Sequence, residues 1–163
     1  MTCSNGFHWK IGLTGNLGLS AVLDWATRRV LAWRLSNTLT ADLCVDTLEE
    51  AILKYGPLEI MNTDQGSQFT SSAFIGVLEQ NAIQTSMGGK GCWRDNVFVE
   101  HLWKSLKYEE VYLHGYDTAS VARQALNWYF DFYNRRRPHS TLDGSTPDTT
   151  YLNLSEPQLA AAA

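Results

Sequence analysis

The sequence predicts an α/β fold, with a mixed central sheet flanked by helices. Two apolar runs, residues 17–25 (LGLSAVLDW) and 30–36 (VLAWRLS), lie either side of the polar break Thr27-Arg28-Arg29, the pattern of a β-hairpin. Helix-period and strand-period segments then alternate, and runs of this kind assemble as layers around a sheet. The composition is 44% hydrophobic and 18% charged over 163 residues, which suits one soluble domain with a sizeable core and argues against disorder.

The elements follow in order. After the hairpin, Thr40 stands where a helix cap is expected. Cys44, Leu48, Ala51, Ile52 and Tyr55 recur at helical spacing until Gly56-Pro57 stops them. Residues 58–62 (LEIMN) read as a short buried strand with Asp64 just past its carboxyl end, where ligands gather in α/β folds. Thr70 or Ser71 starts a second helix with Phe74, Val77 and Leu78 inward, and residues 83–87 form a further strand. Gly88-Gly89-Lys90-Gly91 reads as a loop, since three glycines in four residues impose little backbone order. Asp95 or Asn96 is expected to cap the next helix, with Phe98, Leu102, Ser105 and Leu106 facing the core. A last long helix begins near Asp117-Thr118. Its Val121, Ala125, Trp128 and Phe132 form the expected inner stripe, and Arg137-Pro138 ends it. Trp25, Trp33 and Trp128 are expected in the core. Residues 1–16 form an atypical N-terminal segment in which Phe7 to Leu13 fit a strand, residues 17–151 the main domain, and residues 152–163 a tail.

Charge and cysteine content narrow the function classes. The net charge of -4 counts against a nucleic-acid binder when taken alone. Its distribution is uneven: residues 86–140 hold eight Lys/Arg against six Asp/Glu, and the remainder five against eleven. Cys3, Cys44 and Cys92 have no paired spacing, so neither a zinc site nor a disulfide framework is expected, and a reduced cytoplasmic setting fits. No segment reads as a membrane span or a secretion signal.

Asp64 and Glu100, separated by 35 residues, are the residues that carry chemistry. Oxygen ligands of this kind suit Mg²⁺ or Mn²⁺, and a strand-end Asp with a helix-borne Glu holds such geometry firmly. A third carboxylate is expected beside them, yet none precedes Asp24. Glu100, Lys104 and Lys107 stand at i, i+4 and i+7. They read either as a metal ligand followed by two phosphate-seeking cations or as an ordinary solvated face. Arg135, Arg136, Arg137 and His139 read either as a phosphate grip or as an exposed helix end where cations complement the macrodipole. Trp93 either stacks on an unpaired base or packs against the core. His101 and His114 lack ligand spacing.

Four motifs resemble one family. NTDQGSQFTS (62–71), DNVFVEHLWKSLK (95–107), YNRRRPHSTL (133–142) with TPDTTY (146–151), and VLDWATRRVLAW (22–33) resemble the integrase-like DDE transposases of bacterial insertion sequences. The subgroup is the one whose second reading frame encodes the catalytic core, and retroviral integrases share that core more distantly. The resemblance implies an RNase H-like fold and Mg²⁺- or Mn²⁺-dependent DNA strand cleavage and transfer, with two ions in an intact member. It implies Asp64 and Glu100 as the second and third catalytic acids and metal ligands. It also implies DNA contacts through Lys104, Lys107, Arg135, Arg136, Arg137 and His139. The partners implied are DNA, as element ends and target, and a second copy or a full-length transposase, in the bacterial cytoplasm at the nucleoid.

This chain departs from the family at the first acid. Counting back eighteen residues from Asp24 lands on Gly6, and no carboxylate is there. Asp24 itself belongs to the separate Asp-Trp motif, in the wrong register to substitute. The missing acid reads as an N-terminally truncated or frame-shifted copy. Three functions compete: a transposase core impaired by that loss, an inactive remnant that binds DNA or a full-length transposase, and a metal-dependent nuclease of the wider RNase H-like group.

Overall fold

The computed structural model describes the backbone of residues 3–13, 15–38, 40–63, 66–87 and 93–161, and the side chains of 17–38, 40–63, 66–86 and 97–154. Five strands form one sheet in the order β3-β2-β1-β4-β5. They are β1 (Cys3–Leu13), β2 (Gly15–Asp24), β3 (Val30–Ser36), β4 (Ile60–Thr63) and β5 (Gln84–Met87). β1 pairs antiparallel with β2, and β2 with β3, while β4 runs parallel to both β1 and β5. The N-terminal segment therefore supplies the central strand. Asn5 pairs with Leu23 on one side and Asn62 on the other, and Gly6 pairs with Val22.

Alternation along β2 assigns the two faces of the sheet. Leu17, Leu19, Ala21 and Leu23 join one buried cluster, and Val22 joins the other. The first cluster is completed by α3 (Trp93–Leu106) through Val99, Leu102 and Leu106, and by α4 (Ala119–Arg135) through Ala122, Leu126, Tyr129, Phe130 and Tyr133. The second is completed by α1 (Ala41–Tyr55) through Cys44, Leu48 and Ala51, and by α2 (Ser72–Gln80) through Phe74, Val77 and Leu78. Each fully buried leucine here is worth about 1.5–3 kcal/mol of transfer free energy.

Local chemistry fixes the element ends. Ser71 Oγ accepts the Phe74 amide at 3.3 Å and Thr118 Oγ1 accepts the Val121 amide at 3.2 Å, so both helices start on a side-chain cap. Thr40 occupies the cap position of α1 without a side-chain cap bond, and Gly56 ends that helix at φ +84°. In the β2–β3 turn, Asp24 Oδ2 accepts both the Thr27 amide at 2.9 Å and the Thr27 hydroxyl at 2.5 Å. Asp24 is buried and engaged in building the turn, which agrees with its exclusion as a substitute acid. The last helix, α5 (Pro147–Ala161), is tied to this hairpin, with Asp148 2.7 Å from Arg29 and Tyr151 packed edge-on against Tyr55.

Two expectations need correction. Helix α3 begins at Trp93, so Asp95 and Asn96 lie inside it rather than capping it. The inner stripe of α4 is displaced by one position: Ala122, Leu126, Tyr129 and Tyr133 are buried, while Val121 and Trp128 are 47% and 61% exposed. Two apolar stripes run side by side on this helix, and periodicity alone does not choose between them. The stripe that turns inward has the small Ala122 for close approach and a Tyr129 hydroxyl that reaches Glu109 at 3.3 Å, so its polar atom is not stranded. Of the other tryptophans, Trp25 is 37% exposed and Trp33 is half-buried against Phe130 at 5.1 Å.

Candidate active site

β4 ends at Thr63, and the next residue is Asp64. Asp64 lies outside the described residues, as does the Gly88–Gly91 segment, and the side chain of Trp93. The strand end itself is well placed. Met61 and Thr63 are buried, and β4 lies between β1 and β5. Thr63 Oγ1 is a buried oxygen with no hydrogen-bond partner among the described residues. Asn5, one residue before Gly6, pairs with Asn62, two residues before Asp64. The counted position of the first acid and the approach to the second acid therefore lie on neighbouring strands.

Glu100 projects from α3 on the exposed side, opposite Val99 and Leu102, which anchor the helix to the sheet. A clamp from the β2–β3 turn fixes the same stretch of α3. Trp25 meets Phe98 edge-on at 5.7 Å, and the Arg28 guanidinium lies over the Phe98 ring. Arg28 also donates to the Trp25 carbonyl. Burial lowers the pKa of Arg28 from its ordinary value. Phe98 is two residues before Glu100, so this turn sets where the carboxylate stands. The sequence gave no periodic signal for the clamp, because it joins residues some seventy positions apart.

Beyond Glu100 the helix changes pitch. Lys104 is exposed, while Lys107 is half-buried and opens a π-helical turn (Lys107–Val111). Such turns are rare and often sit at functional sites. Glu110 within it is buried, accepting the Tyr116 hydroxyl at 2.9 Å with His114 Nδ1 at 3.4 Å. Burial, then the Glu110 hydrogen bond, pushes the Tyr116 phenol far above its usual range.

The C-terminal basic run divides. Arg135 is engaged with Asp131 at 3.2 Å and Asp148 at 3.5 Å, and Arg136 is exposed. Arg137 turns inward, donating to Glu109 and lying 3.4 Å from the Tyr129 hydroxyl. His139 stands edge-on to Tyr133 at 4.8 Å. Burial, then the charge of Arg137, holds His139 below its ordinary pKa, and burial pushes the Tyr133 phenol up to about 12. Lys104, Arg137 and His139 are thereby brought into one cleft with His101, Ser105 and Tyr133. The supporting residues Glu109, Tyr129 and Tyr133 were not legible as site residues. Their only signal was aromatic and acidic character at positions that also suit a core or a solvated face.

Among the described residues, no group of three or more His, Cys, Asp or Glu is placed to hold a metal ion, and no helix is long and apolar enough to cross a membrane. The described fold defines a class, an RNase H-like α/β core of the kind found in retroviral integrases. The catalytic core of bovine immunodeficiency virus integrase superposes with a TM-score of 0.79 at 16% identity, over 97% of this chain and 98% of that one. The HTLV-2 integrase core, solved in complex with magnesium in its trimeric form, superposes at 0.71 and 20% identity, over 91% and 94%.

Sequence comparison is more specific. Integrase core domain models match residues 5–92 and 81–147, and the chain belongs to the integrase core domain family. Its relatives include the transposase for insertion sequence element IS904 of Lactococcus lactis, 35% identical over 136 residues, which are 82% of this chain and 54% of that protein. Transposase InsF for insertion sequence IS3A of Escherichia coli is 34% identical over 137 residues, 82% and 48% of the two chains. The chain thus spans about half the length of the curated relatives it matches.

Proposed function

We propose that this chain is the catalytic core of an insertion-sequence transposase, carrying out DNA cleavage and strand transfer with Asp64 and Glu100 as its metal-holding acids. The observation that carries the reading is the convergence of two elements: β4, which ends one residue before Asp64, and α3, which presents Glu100 above the same sheet. The carboxylates of Asp64 and Glu100 form an oxygen-only donor pair, which suits a hard cation. Mg²⁺ takes one or two protein carboxylates and completes its shell with water and phosphate. When bound, Mg²⁺ or Mn²⁺ would activate the attacking oxygen and stabilise the leaving one in an in-line displacement at phosphorus. The nucleophile is water in cleavage and a DNA 3′-hydroxyl in joining. The chain's own share is to hold the two acids on rigid elements, with the Arg28–Phe98 clamp orienting α3. Lys104, Lys107 and the Arg135–His139 segment neutralise DNA phosphates, with element ends and target DNA as substrates. A second copy, or a full-length transposase, is the protein partner, and the working compartment is the bacterial cytoplasm. The core corresponds to residues 17–151 together with the central strand β1.

A second reading is favoured by one observation: residues 1–23 contain no Asp or Glu, so the third carboxylate is missing. In that reading the chain is an inactive remnant that binds DNA or a full-length transposase. A strand-transfer assay on a pre-cut element end with Mg²⁺ or Mn²⁺ separates the two. Introducing Gly6→Asp should raise activity about 10²–10³-fold, the scale of one well-placed electrostatic group. Asn5→Asp controls for a one-residue register slip, and Asp64→Asn should abolish the gain. Equal activity in the unmodified chain would discard the remnant reading. Inactivity of every acid-restored version would discard the enzyme.

A further inference from the structure

The cleft between α3 and the segment after α4 is built for an anion. It has a volume of about 240 Å³ and is lined by His101, Lys104, Ser105, Tyr133, Arg137 and His139. At roughly 30 Å³ per water that is space for about eight waters, below the 300–1,000 Å³ usual for whole small-molecule ligands. Its size therefore suits a single charged group. The lining includes two permanent cations, two imidazoles and two hydroxyls, and no carboxylate. The nearest acid, Glu109, lies behind Arg137 and engages its Nη1, a pairing that fixes a guanidinium with five N–H donors in place.

His139 supplies the second observation. Its ring is hydrogen-bonded to the Tyr133 main chain, and its Nε2 is buried with no partner among the described residues. A buried polar atom without a partner costs free energy unless a ligand satisfies it. The segment that carries it is stiff. The His139 amide donates to the Ser145 carbonyl at 3.1 Å, and the His139 carbonyl accepts from Leu142 and Gly144 at 3.0 and 2.9 Å. The imidazole is thus presented by a closed turn rather than a loose tail.

We propose that this cleft seats one phosphate of the DNA backbone, gripped by Lys104, Arg137 and protonated His139, one helical turn from Glu100. The proposal rests on the transposase reading and deepens it. The cleft fixes where the strand leaves the reacting phosphate, so it acts in positioning and not in the chemistry. Around the imidazole stand Arg137, Arg28, Glu109 and Tyr133, with His101 and Lys104 across the cleft. Burial and the neighbouring cations keep the empty ring neutral at pH 7. A phosphate oxygen at Nε2 reverses that balance, so binding takes up a proton.

The test uses the full chain and follows the His139 ring resonance by NMR, assigned through His139→Gln, during pH titrations. The additions are inorganic phosphate in one arm and a short DNA duplex in the other. Both should raise the His139 pKa, the duplex by about one unit or more, a tenfold change in proton affinity. In fluorescence anisotropy, Lys104→Gln and His139→Gln should each lower the slope of log affinity against log salt by about 0.9 for duplex DNA, the contribution of one phosphate. Melting temperatures confirm that both variants fold. Tight duplex binding with an unmoved His139 and unchanged slopes would overturn the seat while leaving the transposase reading intact. A response to inorganic phosphate without duplex binding would overturn the DNA assignment. No response in either arm would overturn both.

Discussion

Asn134 is the most informative single residue to change. Its side chain joins the last turn of α4 to the start of the edge strand β3, 104 residues away in sequence. Oδ1 accepts the Val30 amide at 2.9 Å, and Nδ2 donates to the Val30 carbonyl at 2.9 Å, so one amide side chain mimics a neighbouring strand. Asn134→Ala removes both bonds and leaves two main-chain groups of a buried residue without partners, since Val30 is only 4% exposed. A typical hydrogen bond contributes about 0.5–1.5 kcal/mol net, and a stranded buried group costs about 1–3 kcal/mol. Partial access of water at the sheet edge places the sum at about 2–3 kcal/mol. For a chain of this length that corresponds to a fall in Tm of roughly 4–12 °C. Urea titration should show the loss at an unchanged m-value, and hydrogen exchange should speed at the Val30 amide more than at the Leu19 amide in the middle of β2. Asn134→Asp keeps the acceptor for the amide but sets a carboxylate against the Val30 carbonyl, so it should not rescue. A loss below about 0.5 kcal/mol, the level of ordinary surface changes, would refute this account of the edge.

Two further predictions probe the same framework. Leu126→Ala should cost about 2–5 kcal/mol in a denaturant titration, whereas Trp128→Ala, two positions on, should stay within about 1 kcal/mol, because only Leu126 is in the core. The opposite ranking would restore the inner stripe that periodicity first suggested. Thr27→Val keeps the shape of that side chain but removes the hydroxyl that donates to buried Asp24, and it should cost about 1–3 kcal/mol. A neutral result would mean that the backbone bond to Asp24 alone sustains the turn.

How far the fold could be read from sequence depended on whether an element had one apolar face or two. β2 alternates cleanly, and α2 has Phe74, Val77 and Leu78 on one side only, so both were legible with their buried residues. Helix α4 offers two adjacent stripes, and the choice between them depends on Glu109, which reaches it from the π-helical turn. The start of α3 was misplaced because capping residues inside a helix look the same in sequence as those at its end. The site was legible to the extent that it is local. Asp64 after a buried strand and Glu100 on a helix follow from short segments, while the cleft of Lys104, Arg137 and His139 forms only when α3 and the end of α4 cross. The basic run read as one undivided patch, yet its three arginines have three different surroundings.

That division of labour bears on how the core works. Arg135 and Arg29 both converge on Asp148, which ties α4 and the β2–β3 hairpin to the first turn of α5. Arg28, the next residue in that hairpin, lies over Phe98 in α3, two residues before Glu100. A single turn, closed by Asp24 and Thr27, therefore connects the C-terminal signature to the helix that carries the acid. Surface ion pairs are worth little individually, but Arg29 and Asp148 are less than one quarter exposed, so their pairing is screened less than an ordinary surface pair. The Asp-Trp motif and the C-terminal signature are thus better explained as positioning devices than as ligands. Damage to either should move Glu100 and the cleft together, even though neither motif touches a reacting atom. That coupling explains how a chain lacking a carboxylate before Asp24 still needs its hairpin and signature to hold the remaining pair in place.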